Sequence, residues 1–325
     1  MILMLYPIKP RPVYKDILWG GTRIRERFAR KTPFARVAES WELCCRGDGM
    51  SVIDNGALAG QTLQEAADAY GEKLLGSDSV KKYGAYFPLL FKIIDANDRL
   101  SVQVHPDDAY AKSVGQPNGK NELWYVIDSK PGAKLIYGLR EGVTRESFRL
   151  AVERGEIAET LNEAPVKPGD VFYIPAGTVH AILDGILVAE IQQNSNTTYR
   201  IYDWDRVGAD GRGRELQIGH AMNVIRFGAG APGPAALPVR EESGCRVRTV
   251  SRCPFFSIDE IDTDPRYETA AAPRSFEVLM NIAGEGGIEY DGGRETVPCG
   301  QTLLLPACLG RYALTGKMKV LRTSL

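Results

Sequence analysis

The stretch PGDVFYIPAGTVHAI, residues 168–182, decides how the rest of the chain is read. From Gly169 to His180 it follows G-x5-P-x-G-x2-H. A glycine turn feeds a short apolar strand, a Pro-Ala-Gly turn reverses it, and a histidine opens the returning strand. A second strand, LSVQVH at 100–105, alternates with period two and stops at Pro106, so Gln103 and His105 share one face and Val102 and Val104 the other. Seventeen residues on, Glu122 opens the apolar strand ELWYVID. Gln103, His105, Glu122 and His180 together offer an amide oxygen, two imidazoles and a carboxylate. That donor set suits a borderline divalent ion: zinc first, with manganese or iron as alternatives. Each imidazole then needs a partner for its other ring nitrogen. With only three histidines in the chain, His220 is the remainder. It lies on a weak helical pattern without an acidic motif and reads as a satisfied core residue.

Working outward, 34 glycines and 19 prolines in 325 residues punctuate many short strand-like runs, so the chain is mainly β. A few helices interrupt it. TLQEAADAYGEKLLG, about 62–75, opens on a Thr62/Glu65 capping box; TRESFRLAVERGEIAETL covers about 144–161; RELQIGHAMNVI covers about 214–226. GAGAPGPAALP breaks the composition, giving a linker at 228–240 between an N-terminal unit, 1–227, and a smaller β unit, 241–325. Hydrophobic and charged fractions of 44% and 25% exclude disorder, and a formal net charge of -1 excludes a broad nucleic-acid or membrane footprint. The opening MILMLYPIKPRP is too short an apolar run for a signal peptide, and no membrane span is found. Six cysteines without C-x-x-C spacing read as reduced thiols of a cytoplasmic protein.

The Gly169–His180 pattern resembles the second motif of the cupin superfamily, with Asp184 where an asparagine usually closes it. Further blocks resemble the short bacterial form of one cupin branch, the type I mannose-6-phosphate isomerases (phosphomannose isomerases). They are AESWELCC at 38–45, FPLLFKIIDANDRLSVQVHPDDAYA at 87–111, GKNELWY at 119–125, PAGTVHAI at 175–182 and ILVAEIQQNSNTTYRIYDWDR at 186–206. They fall in the family order over most of residues 1–225. The resemblance implies two cupin-like jelly-roll domains with a few inserted helices. It also implies one zinc per chain on Gln103, His105, Glu122 and His180, and a small phosphorylated sugar as substrate. Arg200 takes the place of the active-site arginine, Lys92 and Lys120 those of substrate-associated lysines, and Glu190 that of a pocket carboxylate. One departure concerns the residue four before the arginine: the family commonly has aspartate there, and this chain has Asn196, which we place at the substrate.

The implied activity is the exchange of mannose 6-phosphate and fructose 6-phosphate through an enediol. A metal serves as Lewis acid on the oxygens gaining charge, and Arg200 is a permanent cation beside them. For the proton-transfer base, Lys120 is preferred, with Glu190 in support; a lysine base must first be deprotonated, which burial and a nearby cation favour. No phosphate-cradling glycine loop is present, so single cations such as Lys92 are expected at the phosphate. Gly300–Arg311, GQTLLLPACLGR, repeats the strand-turn frame with Arg311 where His180 would stand, so the C-terminal unit reads as a jelly roll that lost its metal site. A non-catalytic sugar-phosphate-binding cupin is the first alternative, motivated by Asn196, and a cupin oxygenase the second. No nucleic-acid or membrane partner is expected, and the chain reads as a monomer or weak homo-oligomer.

Overall fold

Short strand-forming runs between positions 13 and 202 build two sheets that face each other across one core. The structure, a computed structural model, describes residues 4–208, 211–228 and 238–325. The larger sheet has six strands in the order Val171–Ile174, Glu122–Ser129, Ile186–Gln193, Leu89–Ala96, Glu39–Leu43, Val13–Lys15. The other has five, in the order Tyr199–Tyr202, Val102–Val104, His180–Ile182, Lys134–Leu139, Leu161–Pro165. Ile94, Trp124, Val126 and Val188 from the first sheet and Leu135, Tyr137 and Ile182 from the second fill the shared interior. Strand alternation puts Val102, Val104, Ala181, Tyr199 and Ile201 on the opposite face, where Phe148 and Ala221 of the helices Arg145–Arg154 and Ile218–Val224 cover them. The fold is mainly β and cupin-like.

The turn after Val171–Ile174 is held from several sides. Ala176 N–H donates to Asn121 Oδ1 (2.9 Å), and Gly177 N–H donates to the His105 carbonyl (2.9 Å). Gly177 has φ +88°, and a Cβ there would meet Arg226 Cγ and the Val224 carbonyl, each at 2.7 Å. Only glycine fits this position without strain.

The helices differ in extent from the sequence expectation. The first does open on the Thr62/Glu65 capping box, but it breaks at Gly71 into Leu63–Tyr70 and Glu72–Leu75, and a further helix, Ser77–Tyr83, follows. The second ends in the left-handed cap Gly155, after which Ile157–Thr160 is a 3-10 turn. The third is confined to Ile218–Val224, because Arg214, Glu215 and Gln217 before it bond to Asp203 and Arg200 instead of continuing a helix. Short helices at Arg23–Arg27 and Asp108–Ser113 carry too few apolar positions to show a period.

The compact units are not contiguous in sequence. One gathers Met1–Val13, Trp41–Leu90 and Ala236–Leu325, the other Tyr14–Ser40 and Phe91–Ala235. The expected division kept residues 1–227 together. Part of the segment 41–90 meets the C-terminal strands: Phe276 N–H donates to the Leu75 carbonyl, Ala307 N–H to Leu74, and Phe87 packs on Phe276 at 4.6 Å. Periodicity reports a helix but not the remote segment it packs on. Of the expected linker 228–240, residues 229–237 lie outside the described residues, and Val239–Glu242 is already a strand.

The C-terminal strands form a separate sheet in the order Val239–Glu242, Cys245–Arg252, Ser257–Thr263, Arg311–Ser324, Glu277–Tyr290, Gly293–Val297, with Arg266–Ala270 and Thr302–Leu305 attached. Its core includes Val247, Ile261, Leu279, Leu303 and Val320. On the same inward face lies Asp259, which accepts from Arg240 (3.2 Å), Arg252 (2.5 Å) and Arg322 (3.0 Å). Burial alone would raise its pKa, but these three guanidinium groups outweigh it and hold the carboxyl below the ordinary aspartate range.

Two outcomes follow. Gly177→Ala lowers stability by about 1–3 kcal/mol in chemical denaturation, because an L-residue is forced into left-handed backbone against a carbonyl. For Asp259 the folded pKa is depressed, so its stabilisation is present above the unfolded pKa of about 3.9 and lost as pH falls through the folded value. The stability gap between wild type and Asp259→Asn, measured by urea denaturation, therefore narrows below about pH 4; a gap independent of pH removes the linkage.

Candidate metal and sugar-phosphate site

Three strand ends converge inside the five- and six-stranded barrel. His105 follows the strand Val102–Val104, Glu122 opens its strand opposite Ile174, and His180 opens its strand opposite Gln103. His105 Nε2 and His180 Nε2 are 3.1 Å apart, and the Glu122 carboxylate lies 3.4 Å from the first and 3.3 Å from the second. All three side chains are buried. His105 Nδ1 lies 2.9 Å from the Thr197 carbonyl and His180 Nδ1 2.8 Å from the Thr178 carbonyl. A carbonyl only accepts, so both Nδ1 atoms carry the proton and both Nε2 atoms present lone pairs. The Gln103 side-chain amide reaches the same point through its nitrogen, Nε2 lying 3.3 Å from His180 Nε2.

The protonation states agree. Burial and the neighbouring Lys120 ammonium push the His105 pKa down to about 3, and burial lowers that of His180. Both rings are neutral near pH 7. Burial opposes ionisation of Glu122, but Lys120, 2.6 Å away, outweighs it and holds the carboxyl well below its usual range. Two imidazole lone pairs and a carboxylate thus aim at one dry point. Among the described residues this is the one His/Cys/Asp/Glu group with metal-binding spacing. Such a convergence of acceptors is costly without a cation, so the residues fit a bound divalent metal.

The other expected residues take distinct places. Lys120 Nζ is 2.9 Å from His105 Nε2 and buried. Lys92 is buried too, 2.8 Å from Glu190 Oε1 and 3.6 Å from Glu39. Burial would lower its pKa, but the two carboxylates outweigh that and hold it above the ordinary lysine value, so it is an ammonium. Glu190 is fixed from its other side by Trp124 Nε1–H, which donates to Oε2 at 2.8 Å. Arg200 pairs with Gln103 across the strands, which puts the two side chains on one face. Its Nε donates to Ser101 Oγ (3.3 Å) and Nη1 to the Glu215 carbonyl (2.9 Å). Burial and the nearby Arg214 lower its pKa while leaving it charged. Asn196 is exposed, directly before Thr197, whose carbonyl orients His105.

His220 is satisfied but not core, a correction to the sequence reading. It is exposed, 3.0 Å from the Tyr110 hydroxyl and stacked on Tyr199 at 4.8 Å. Sequence reasoning also missed Glu39, Ser101 and Asn121. Glu39 was visible only as an acid in the apolar run AESWEL, and Asn121 as the neighbour of Glu122. Neither position announces its remote partner. Among the described residues no helix is long and apolar enough to cross a membrane, and none of the six cysteines is in a disulfide.

Comparison with known proteins agrees with this geometry. Residues 8–132 match the family model for the phosphomannose isomerase type I catalytic domain. The chain is 38% identical over 316 residues to a probable mannose-6-phosphate isomerase of Bacillus subtilis, covering 96% of this chain and 97% of that protein. It is 37% identical to the mannose-6-phosphate isomerase of Streptococcus mutans over 94% of this chain and 93% of that one. The crystal structure of the Bacillus subtilis mannose 6-phosphate isomerase superposes with a TM-score of 0.91 at 32% identity, covering 98% of this chain and 99% of that one. With full-length similarity at this level and a metal-capable site inside the barrel, the chain belongs to the type I phosphomannose isomerases.

Proposed function

We propose that the protein is a zinc-dependent aldose–ketose isomerase that interconverts mannose 6-phosphate and fructose 6-phosphate. The observation that carries this reading is the pair of imidazole Nε2 lone pairs aimed, with Glu122, at one buried point beside Lys120. His105, His180 and Glu122 are the metal ligands, and Gln103 joins them through its amide oxygen once the amide, whose nitrogen faces His180 Nε2, is turned over. Bound there, the ion supplies Lewis acidity toward the sugar C1 and C2 oxygens.

The chain's own residues do the rest. The interior carries Glu39, Glu122 and Glu190 against Lys92 and Lys120, so it is charged but largely self-compensated. That suits the uncharged C1–C2 end of the sugar, where negative charge arises only during reaction. Isomerisation removes the proton on C2 and returns one to C1, and the enediol between them gathers negative charge on its oxygens. Arg200, fixed on the site-facing side of its strand, stabilises that charge without titrating.

Lys120 is the preferred proton carrier. Both oxygens of Glu190 are committed, one to Trp124 and one to Lys92, so Glu190 acts in support by orienting Lys92. Lys92 and Asn196 face the phosphorylated sugar: Lys92 as a cation whose charge is already shared with Glu190 and Glu39, and Asn196 as an exposed polar group. Cysteines kept as thiols support a reducing, cytoplasmic setting, and we expect a monomer or weak homo-oligomer.

In a coupled assay, chelated protein is expected to lose fructose 6-phosphate formation, and added zinc to restore it. Substrate binding without turnover after zinc reconstitution overturns the catalytic reading. His180→Ala removes the metal, whereas Arg200→Ala keeps it and loses about 10²–10³-fold in kcat, the usual cost of one preorganised charge-stabilising donor. Metal analysis alongside kinetics separates the two. An unchanged rate in Asn196→Asp would show that the departure at this position is neutral.

A further inference from the structure

We propose that Gln217 is a positioning residue for Arg200, setting the direction from which its guanidinium enters the site. The proposal rests on the catalytic reading of Arg200 and adds a residue that reading does not contain.

The strand Tyr199–Tyr202 is the edge of its sheet. On one side it pairs with Val102–Val104, and its register slips between Arg200 and Tyr202. On the other side no further strand among the described residues continues the sheet. An edge strand with a bulge has little to fix its backbone angles, and a side chain springing from it inherits that freedom. Gln217 removes it. Its Oε1 accepts from Arg200 N–H at 2.9 Å, and its own N–H donates to the Arg200 carbonyl at 2.8 Å. One residue thus satisfies both outward backbone groups of Arg200, as a neighbouring strand would.

The same segment also reaches the guanidinium. The Glu215 carbonyl accepts from Arg200 Nη1 at 2.9 Å and from Gln217 Nε2 at 3.3 Å, so backbone and side chain of Arg200 are gripped by one short stretch. That stretch is anchored in turn. Gln217 caps the helix Ile218–Val224, yet its side chain makes no capping bond to that helix. Glutamine is a poor choice for an N-cap, where Ser, Thr, Asp or Asn is favoured. The side chain is instead committed to Arg200. The helix packs Ala221 into the outer core and stacks His220 on Tyr199, the residue before Arg200.

The experiment compares Gln217→Ala, Gln217→Glu, Arg200→Ala and the double variant Arg200→Ala/Gln217→Ala as zinc-loaded full-length protein in the coupled isomerase assay. Gln217→Glu keeps the acceptor oxygen. Gln217→Ala is expected to lower kcat about 10- to 100-fold, the scale of a misplacement near 1 Å, with metal content unchanged and KM altered less than kcat. Gln217→Glu should recover most of the loss, and in the Arg200→Ala background Gln217→Ala should add none. If Gln217→Ala fails to fold, Gln217→Met, which keeps the length and lacks the acceptor, replaces it. A wild-type kcat in Gln217→Ala, or a loss that multiplies that of Arg200→Ala, overturns the positioning role alone. A wild-type rate in Arg200→Ala removes Arg200 from the mechanism, and Gln217 with it.

Discussion

Everything around the site follows from one electrostatic constraint: three acceptors share one buried point. His105 and His180 cannot relieve one another, because each has spent its ring proton on a backbone carbonyl. Glu122 adds a full negative charge. A barrel interior tolerates this only with a cation in reach, and Lys120 stands close enough to moderate it. The carbonyls that choose the tautomers, Thr197 and Thr178, lie in loops, so the loops decide which nitrogen faces the metal point. Gly177 ties one of those loops to the His105 backbone, linking the two histidines mechanically.

The second layer is a chain of buried charges. Trp124 holds Glu190, Glu190 holds Lys92, and Lys92 reaches Glu39. Each member would be expensive alone, and each is made tolerable by the next. The result is a polar wall whose charges are mutually held before any sugar arrives. That preorganisation is where an isomerase with no large charge on its reacting carbons gains most.

The C-terminal sheet shows the same frame serving another end. Glu277 opens its strand opposite Leu305, just before Pro306 and Ala307, as Glu122 opens its strand opposite Ile174, just before Pro175 and Ala176. Arg311, aligned with His180 by the proline, is exposed, and the next residue supplies the inward group. Tyr312 donates its hydroxyl proton to Glu277 Oε2 at 2.7 Å. Burial raises the pKa of Glu277, against the pull of Arg322. A hydroxyl and a guanidinium thus answer a carboxylate where the first barrel presents two imidazoles.

The sequence by itself determined what is local. Period-two alternation placed Gln103 on the face opposite Val102 and Val104, the Pro-Ala-Gly turn delivered His180 to the start of a strand, and Thr62/Glu65 marked a helix start. Those features depend on backbone geometry over a few residues, and the spacing of the two histidine motifs sufficed to single out residues that converge in the fold. Only the tertiary structure decided what depends on chain-distant neighbours. It brought part of residues 41–90 against the C-terminal strands, exposed His220, and gave Lys92 two carboxylates. It also brought Gln217 beside Arg200, a partnership between residues seventeen positions apart that the sequence conceals. The physical reason is the same in each case. Periodicity encodes which face a side chain takes, whereas the charge or hydrogen bond it meets there is set by strands and helices that fold back from elsewhere in the chain.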